Sequence, residues 1–153
     1  MTWRDLLQTG RVQRHATSKS EQNDLRSVVE RDLKDAALPG LSDDRAFATA
    51  YNAVLQLSKM VIAATGHRVI GQGHHQTTFQ AVEIAVGAKA IPYATYFDAC
   101  RRKRNQLDYD VAEVASHTES QELLKKAREF QQLVEAWLAE NHPQLAKSTN
   151  PDS

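Results

Sequence analysis

SDDRAFATAYNAVLQLSKMVIAATG, residues 42–66, is the stretch on which the fold turns. Placed at about 100° per residue, Phe47, Ala50, Tyr51, Val54, Leu55, Leu57, Met60, Val61 and Ile62 cover more than half of a helix's circumference. The polar remainder is a narrow strip of Arg45, Asn52, Gln56 and Lys59. A helix that is apolar over so much of its surface must pack on several sides at once, so it belongs at the centre of a helical assembly. Its ends are marked as well. Ser42 is a capping residue, Asp43 and Asp44 suit the positive end of the helix dipole, and Gly66 suits the exit.

Outward from this centre the same period recurs. A helix is expected over about residues 20–37, with Leu25, Val28, Val29, Leu33 and Ala36 on one face. Ser18 and Glu21 have the spacing of a capping box before it, and Leu38-Pro39-Gly40 closes it. A loop containing three of the six glycines spans residues 66–74. Further helices are expected over about residues 75–86, from Pro92 to at least Leu107, and over about 119–141, the last with Thr118 and Gln121 as its capping pair. His142-Pro143 ends it. No segment carries a strand period. The expectation is an all-α, antiparallel bundle of four to five helices over residues 20–142. An N-terminal arm (residues 1–19) precedes it, docking through Trp3 or loose, and a polar tail (143–153) follows.

Composition agrees and excludes several classes. A chain of 153 residues fits one domain, large enough to fold without disulfide or metal staples. Gly and Pro together number only 10, while alanine occurs 21 times, a balance that favours helix. The 19 basic and 19 acidic residues cancel, which excludes a histone-like polycation and an acidic disordered chain. A single cysteine, Cys100, excludes an intramolecular disulfide and a cysteine-based zinc site. With neither a secretory leader nor a long apolar run, the protein is expected to be cytoplasmic, without a membrane partner.

The helix beginning near Pro92 carries the chemistry. With Tyr93 at 0°, Phe97 falls at about 40°, Cys100 at about 340° and Leu107 at about 320°. Arg104 falls at about 20°, inside that apolar stripe, while Arg101 lies on its edge and Arg102 faces away. A guanidinium on the core side must be paired or must face a cleft or an interface, because leaving it buried and unpaired costs about 3–5 kcal/mol. One reading is a structural ion pair with Asp108, Asp110 or Glu113. The other is that Arg104 lines a functional groove. Charge order adds polarity: residues 84–107 hold five basic side chains and one acidic, and residues 108–122 hold five acidic and none basic. A hairpin between the blocks would fold them together, and mutual neutralisation alone would explain that order.

The segment Arg104-Asn105-Gln106-Leu107-Asp108-Tyr109-Asp110 resembles the motif region of HEPN domains (higher eukaryote and prokaryote nucleotide-binding). It is similar to the bacterial stand-alone branch that reads R-x-x-A-D-Y-D after a basic helix. Residues 44–54 (DRAFATAYNAV) resemble that branch's second helix, and residues 119–138 (ESQELLKKAREFQQLVEAWL) its last. The resemblance spans about residues 20–140. It implies a homodimer whose motif arginines share a cleft, and a role in RNA or nucleotide binding within toxin–antitoxin or phage-defence systems. Catalytic members are metal-independent ribonucleases that use R-x(4–6)-H, and many pair with a minimal nucleotidyltransferase. Here Tyr109 stands where the motif histidine would be, and His117 is 13 residues beyond Arg104. Tyrosine titrates at about 10 and histidine at about 6.5. Near neutral pH the motif therefore lacks a general base, whose work is worth about 10²–10⁴-fold in rate. The expectation is binding with little or no hydrolysis. Arg104 would grip a phosphate, Arg101 and Asn105 would assist, Tyr109 would stack on a base, and Asp108 would orient Arg104. Arg45 and Asn52 are candidate supporting residues.

Two alternatives remain open. The protein is a ribonuclease whose base comes from elsewhere, with His74, His75 or a partner subunit as candidates. Or it is a non-catalytic interaction module that partners a nucleotidyltransferase, with Tyr109 as a candidate acceptor of a nucleotidyl group. No cofactor is expected. No metal is expected either, because His67, His74 and His75 lack a spaced carboxylate and read as polar surface. Cys100 reads as a buried, inert thiol.

Overall fold

The computed structural model describes residues 1–107 and 114–148. Its helices are α1 (Trp3–Gln8), α2 (Lys19–Ala36), α3 (Asp43–Ala64), α4 (His74–Val86), α5 (Ile91–Gln106) and α6 (His117–Asn141). Two three-residue strands, β1 (Val12–Arg14) and β2 (His67–Val69), and single 3-10 turns at Ala88–Ala90 and Pro143–Leu145 complete the described elements. The fold is an all-α bundle built around α3, which packs against α2, α4, α5 and α6. Twelve of the 22 residues of α3 are buried, on every side but the strip that holds Arg45 and Lys59. Leu57 lies in that core, so truncating it to alanine costs about 2–5 kcal/mol.

Side-chain clasps order the helices. Arg26 in the first half of α2 meets Glu135 near the end of α6 at 2.8 Å, which joins these two helices. Asp44 accepts the Ala115 N–H at 2.8 Å, and His117 Nδ1 lies 2.9 Å from Asp43, so α6 begins beside the start of α3. The acidic first turn of α3 thus caps its own dipole and fastens the chain entering α6. Ala115 is buried and held there, so the helix starts at once. Its capping box is Ser116–Glu119, with both bonds at 3.0 Å, instead of the expected Thr118–Gln121.

Other expectations change in instructive ways. The Ser18–Glu21 pair caps α2 in one direction only, because the Glu21 carboxylate turns instead to His15 and Thr17. The buried face of α2 also differs from the expected stripe. Gln22, Arg26 and Asp32 join Val29, Leu33 and Ala36 on it, while Leu25 and Val28 are only half-buried.

Residues 1–14, read as an arm, pack on the body. Leu6 and Val12 enter the core, and Trp3 lies flat on His67 with ring centres 4.1 Å apart. β1 pairs antiparallel with β2, Val12 opposite Val69. Each strand has three residues and Val12 alone is buried, too short a run for alternation to show in sequence. At the other end, residues 143–145 belong to the packed body and not to the polar tail. Leu145 is buried, its carbonyl accepts from Arg26, and the Ala146 carbonyl accepts from Lys19.

Candidate functional site

The apolar stripe of α5 is buried at Ala94, Phe97 and Cys100. One turn further the buried face gives way to a cleft of about 350 Å³, and Arg104, half-buried, lines it. The opposite wall comes from α3, through Ala48, Thr49, Tyr51, Asn52 and Leu55. Asp32 of α2 and His75 of α4 complete the lining. Four helices therefore meet at one concavity. Pro92 sets the start of α5, and its regular run carries Arg104 one turn past Cys100.

The polar groups in the cleft are organised. The Asn52 amide donates to Asp32 at 2.6 Å, and Asp32, 5 % exposed, also accepts from Arg31 at 3.3 Å. Gln56 donates to the Asn52 oxygen at 3.4 Å. The Tyr51 hydroxyl lies 3.3 Å from His75 Nδ1. Burial holds Tyr51 protonated, well above its ordinary range, although Arg101 and Arg104 pull the other way. Burial also lowers the His75 imidazole, and repulsion from His74, Arg104, Lys59 and Arg101 lowers it further. His75 is therefore neutral near pH 7, in a field set by three permanent cations. Its tautomer decides its chemistry. With Tyr51 donating to Nδ1, Nε2 is a donor; with Nδ1–H donating to Tyr51, Nε2 carries the lone pair of a base.

The expected site residues divide. Arg104 and Asn52 share the cleft. Arg101, on the same helix, pairs with Asp98 at 2.8 Å, and its charge reaches Tyr51 and His75. Asn105 and Arg45 are exposed and do not line the cleft. Asp108 and Tyr109 lie outside the described residues, as do Asp110 and Glu113. Lys103 reaches Glu119 at 2.6 Å and donates to the Val114 carbonyl at 3.2 Å, which ties the basic helix to the acidic block. That pairing, with Ser116, holds the Glu119 carboxyl at about 2. Burial raises the Cys100 thiol to about 11, so it is not a thiolate at neutral pH.

Two participants escape the sequence reading, Tyr51 as more than core and Asp32, while His75 enters it only as one candidate base among several. Asp32 carries a usable signal, because at about 100° per residue it falls between Val28 and Ala36, inside the apolar stripe of α2. The turn arithmetic that singles out Arg104 singles it out too. His75 has no such signal, since only the return of α4 over α3 sets it beside Tyr51.

Among the described residues no group of three or more His, Cys, Asp or Glu is arranged to hold a metal ion. None of the described helices is long and apolar enough to cross a membrane. Compared with protein-family models, with curated proteins and with solved structures, the chain matches none.

Proposed function

We propose that the cleft between α3 and α5 binds a phosphate of RNA or of a nucleotide, in the manner of a HEPN-like domain. The observation that carries this is the placement of Arg104 on a concave surface beside His75, whose imidazole is lowered first by burial and then by His74, Arg104, Lys59 and Arg101. Such a field favours an anion, and the planar fork of Arg104 suits two phosphate oxygens. Asp32 opposes this least where it stands, because Asn52 and Arg31 already occupy its oxygens. In the full proposal two chains form a homodimer that brings the Arg104 sites together, and the system is of toxin–antitoxin or phage-defence type.

The test is fluorescence anisotropy with a labelled single-stranded RNA over a range of salt concentrations. Binding weakens with a log–log slope of about −0.7 per phosphate neutralised. Arg104→Ala weakens it at least tenfold and makes the slope shallower. Unchanged binding in that variant overturns the assignment.

One observation favours a second reading, a metal-independent ribonuclease. His75 lines the same cleft as Arg104 and supplies the imidazole that the motif lacks at Tyr109. If it is the base, RNA is cleaved in the presence of a chelator, the rate rises with pH through a break below about 6.5, and His75→Ala abolishes it. Absence of cleavage between pH 5 and 8.5 leaves binding as the function.

A further inference from the structure

A second cavity, of about 380 Å³, lies on the other side of the histidine pair that opens α4. His75 faces the cleft described above, while His74 lines this one, and their rings meet edge to face 4.3 Å apart. The cavity sits between the first turns of α2, the last turns of α3, β2 and the start of α4. Its volume is at the small end of ordinary ligand sites.

The two kinds of surface in it are segregated. Ile62, Ala63 and Thr78 are buried and make its floor, and Leu25, Val69 and Ile70 give apolar sides. Lys59 and Arg68 stand exposed at its rim. Among the described residues neither forms an ion pair. Glu21 is the one carboxylate in the lining, and it is already engaged. Both of its oxygens lie 2.9 Å from His15, and Thr17 donates to one of them. Arg68 lies against the Gln13 side-chain amide across the strand pair. The rim therefore offers two cations whose countercharge the described protein does not fully supply, above a largely apolar floor.

We infer that this cavity is a binding site for a small amphipathic organic anion, its apolar body on the Ile62 floor and its carboxylate, sulfonate or phosphate head at Lys59 and Arg68. The inference does not depend on the RNA reading, because the two concavities share no lining residue. The N-terminal segment has a part in it. β1 pairs with β2 and Trp3 stacks on His67, so residues 1–14 support the β2 wall of the cavity from behind, and His15 adds to its lining.

The test uses the full chain and two dyes with the same aromatic body, 8-anilinonaphthalene-1-sulfonate and its uncharged analogue N-phenyl-1-naphthylamine. The anionic dye binds saturably, one per chain, and tighter than the neutral one. Lys59→Glu weakens the anionic dye at least tenfold and changes the neutral dye less than twofold, with the thermal midpoint unchanged because Lys59 is exposed. Leu25→Trp, which fills the cavity from one side, weakens both dyes. If Leu25→Trp fails to fold, the Lys59→Glu comparison still decides. Arg104→Ala locates the dye, and binding remains as in the wild type. The inference is overturned if the anionic dye does not saturate at one per chain, if Lys59→Glu affects both dyes alike or neither, or if Arg104→Ala weakens binding as much as Lys59→Glu.

Discussion

Arg26 and Arg104 both sit on the inward side of their helices, one enclosed in packed protein and the other bordering a cleft. The Arg26 side chain is 7 % exposed and each of its nitrogens is used. Nε donates to Glu135 at 2.8 Å, Nη1 to Asn23 at 2.6 Å, and Nη2 to the Leu145 carbonyl at 3.1 Å. It joins α2, α6 and the 3-10 turn at Pro143–Leu145. Arg104 is half-buried and looks onto a cleft with Asn52, Tyr51 and His75. An inward-pointing guanidinium is therefore no mark of function in itself. What distinguishes the two is whether the surrounding surface is packed protein or open concavity.

Removing Arg26 breaks this comparison most severely. Arg26→Ala leaves Glu135 half-buried without its partner and the Leu145 carbonyl without its donor, and is expected to cost about 3–5 kcal/mol in urea unfolding. The double change Arg26→Met with Glu135→Leu recovers most of that loss, because an apolar pair of similar volume needs no countercharge. A loss below about 1 kcal/mol would mean that Arg26 is not structural.

Asn52→Ala comes next. It strips Asp32, a buried carboxylate, of its 2.6 Å donor and leaves the exposed Arg31 at 3.3 Å. The expected loss is about 2 kcal/mol, read from the same unfolding curves. Restoration by Asn52→Gln would show that a donor, and not its exact reach, is what Asp32 needs.

Arg104→Ala sharpens the contrast from the other side. Its tenfold effect on RNA binding corresponds to about 1.4 kcal/mol, while its effect on stability is less than about 1 kcal/mol. A larger stability loss would place Arg104 with Arg26 as a structural cation.

The smallest effect is a pH dependence. His75 binds a proton less readily folded than unfolded, chiefly through burial, and His67 is lowered by burial and Arg14. The unfolded chain then takes up more protons as pH falls below about 6.5, so stability declines from there down through the folded values. From about 4.5 downward the lowered Glu21 and Glu119 add their own losses in the same direction. His75→Gln flattens the profile of thermal midpoint between pH 7 and 5, and an unchanged slope would remove His75 from the account.

Much of the scaffold is legible from turn arithmetic and chain-breakers. The nearly all-round apolar surface of residues 42–65 announces the central helix, and Ser42 with its two aspartates announces its start. The expected boundaries of the five long helices lie within about two residues of those observed. Short or non-local features escape. β1 and β2 stabilise each other and are too short to be periodic alone. The Ser116 cap prevails over Thr118 because Asp44, 71 residues away, holds Ala115. At the site, the stripe arithmetic finds Arg104, and the same arithmetic applied to α2 finds Asp32 and Arg26, but it cannot tell a sealed charge from one that lines a cleft.

The helical character of this chain, the centrality of its second long helix and the inward aim of Arg104 follow from sequence alone, because they depend on the rotation per residue along a single helix. The meeting of Arg104, Asn52, Tyr51 and His75, the sealing of Arg26 by Glu135 and Leu145, and the cavity backed by the N-terminal segment were decided only by tertiary structure. Each of these depends on how far apart and at what angle separate helices come to rest. That is settled by packing of the whole core and leaves no period in any one segment.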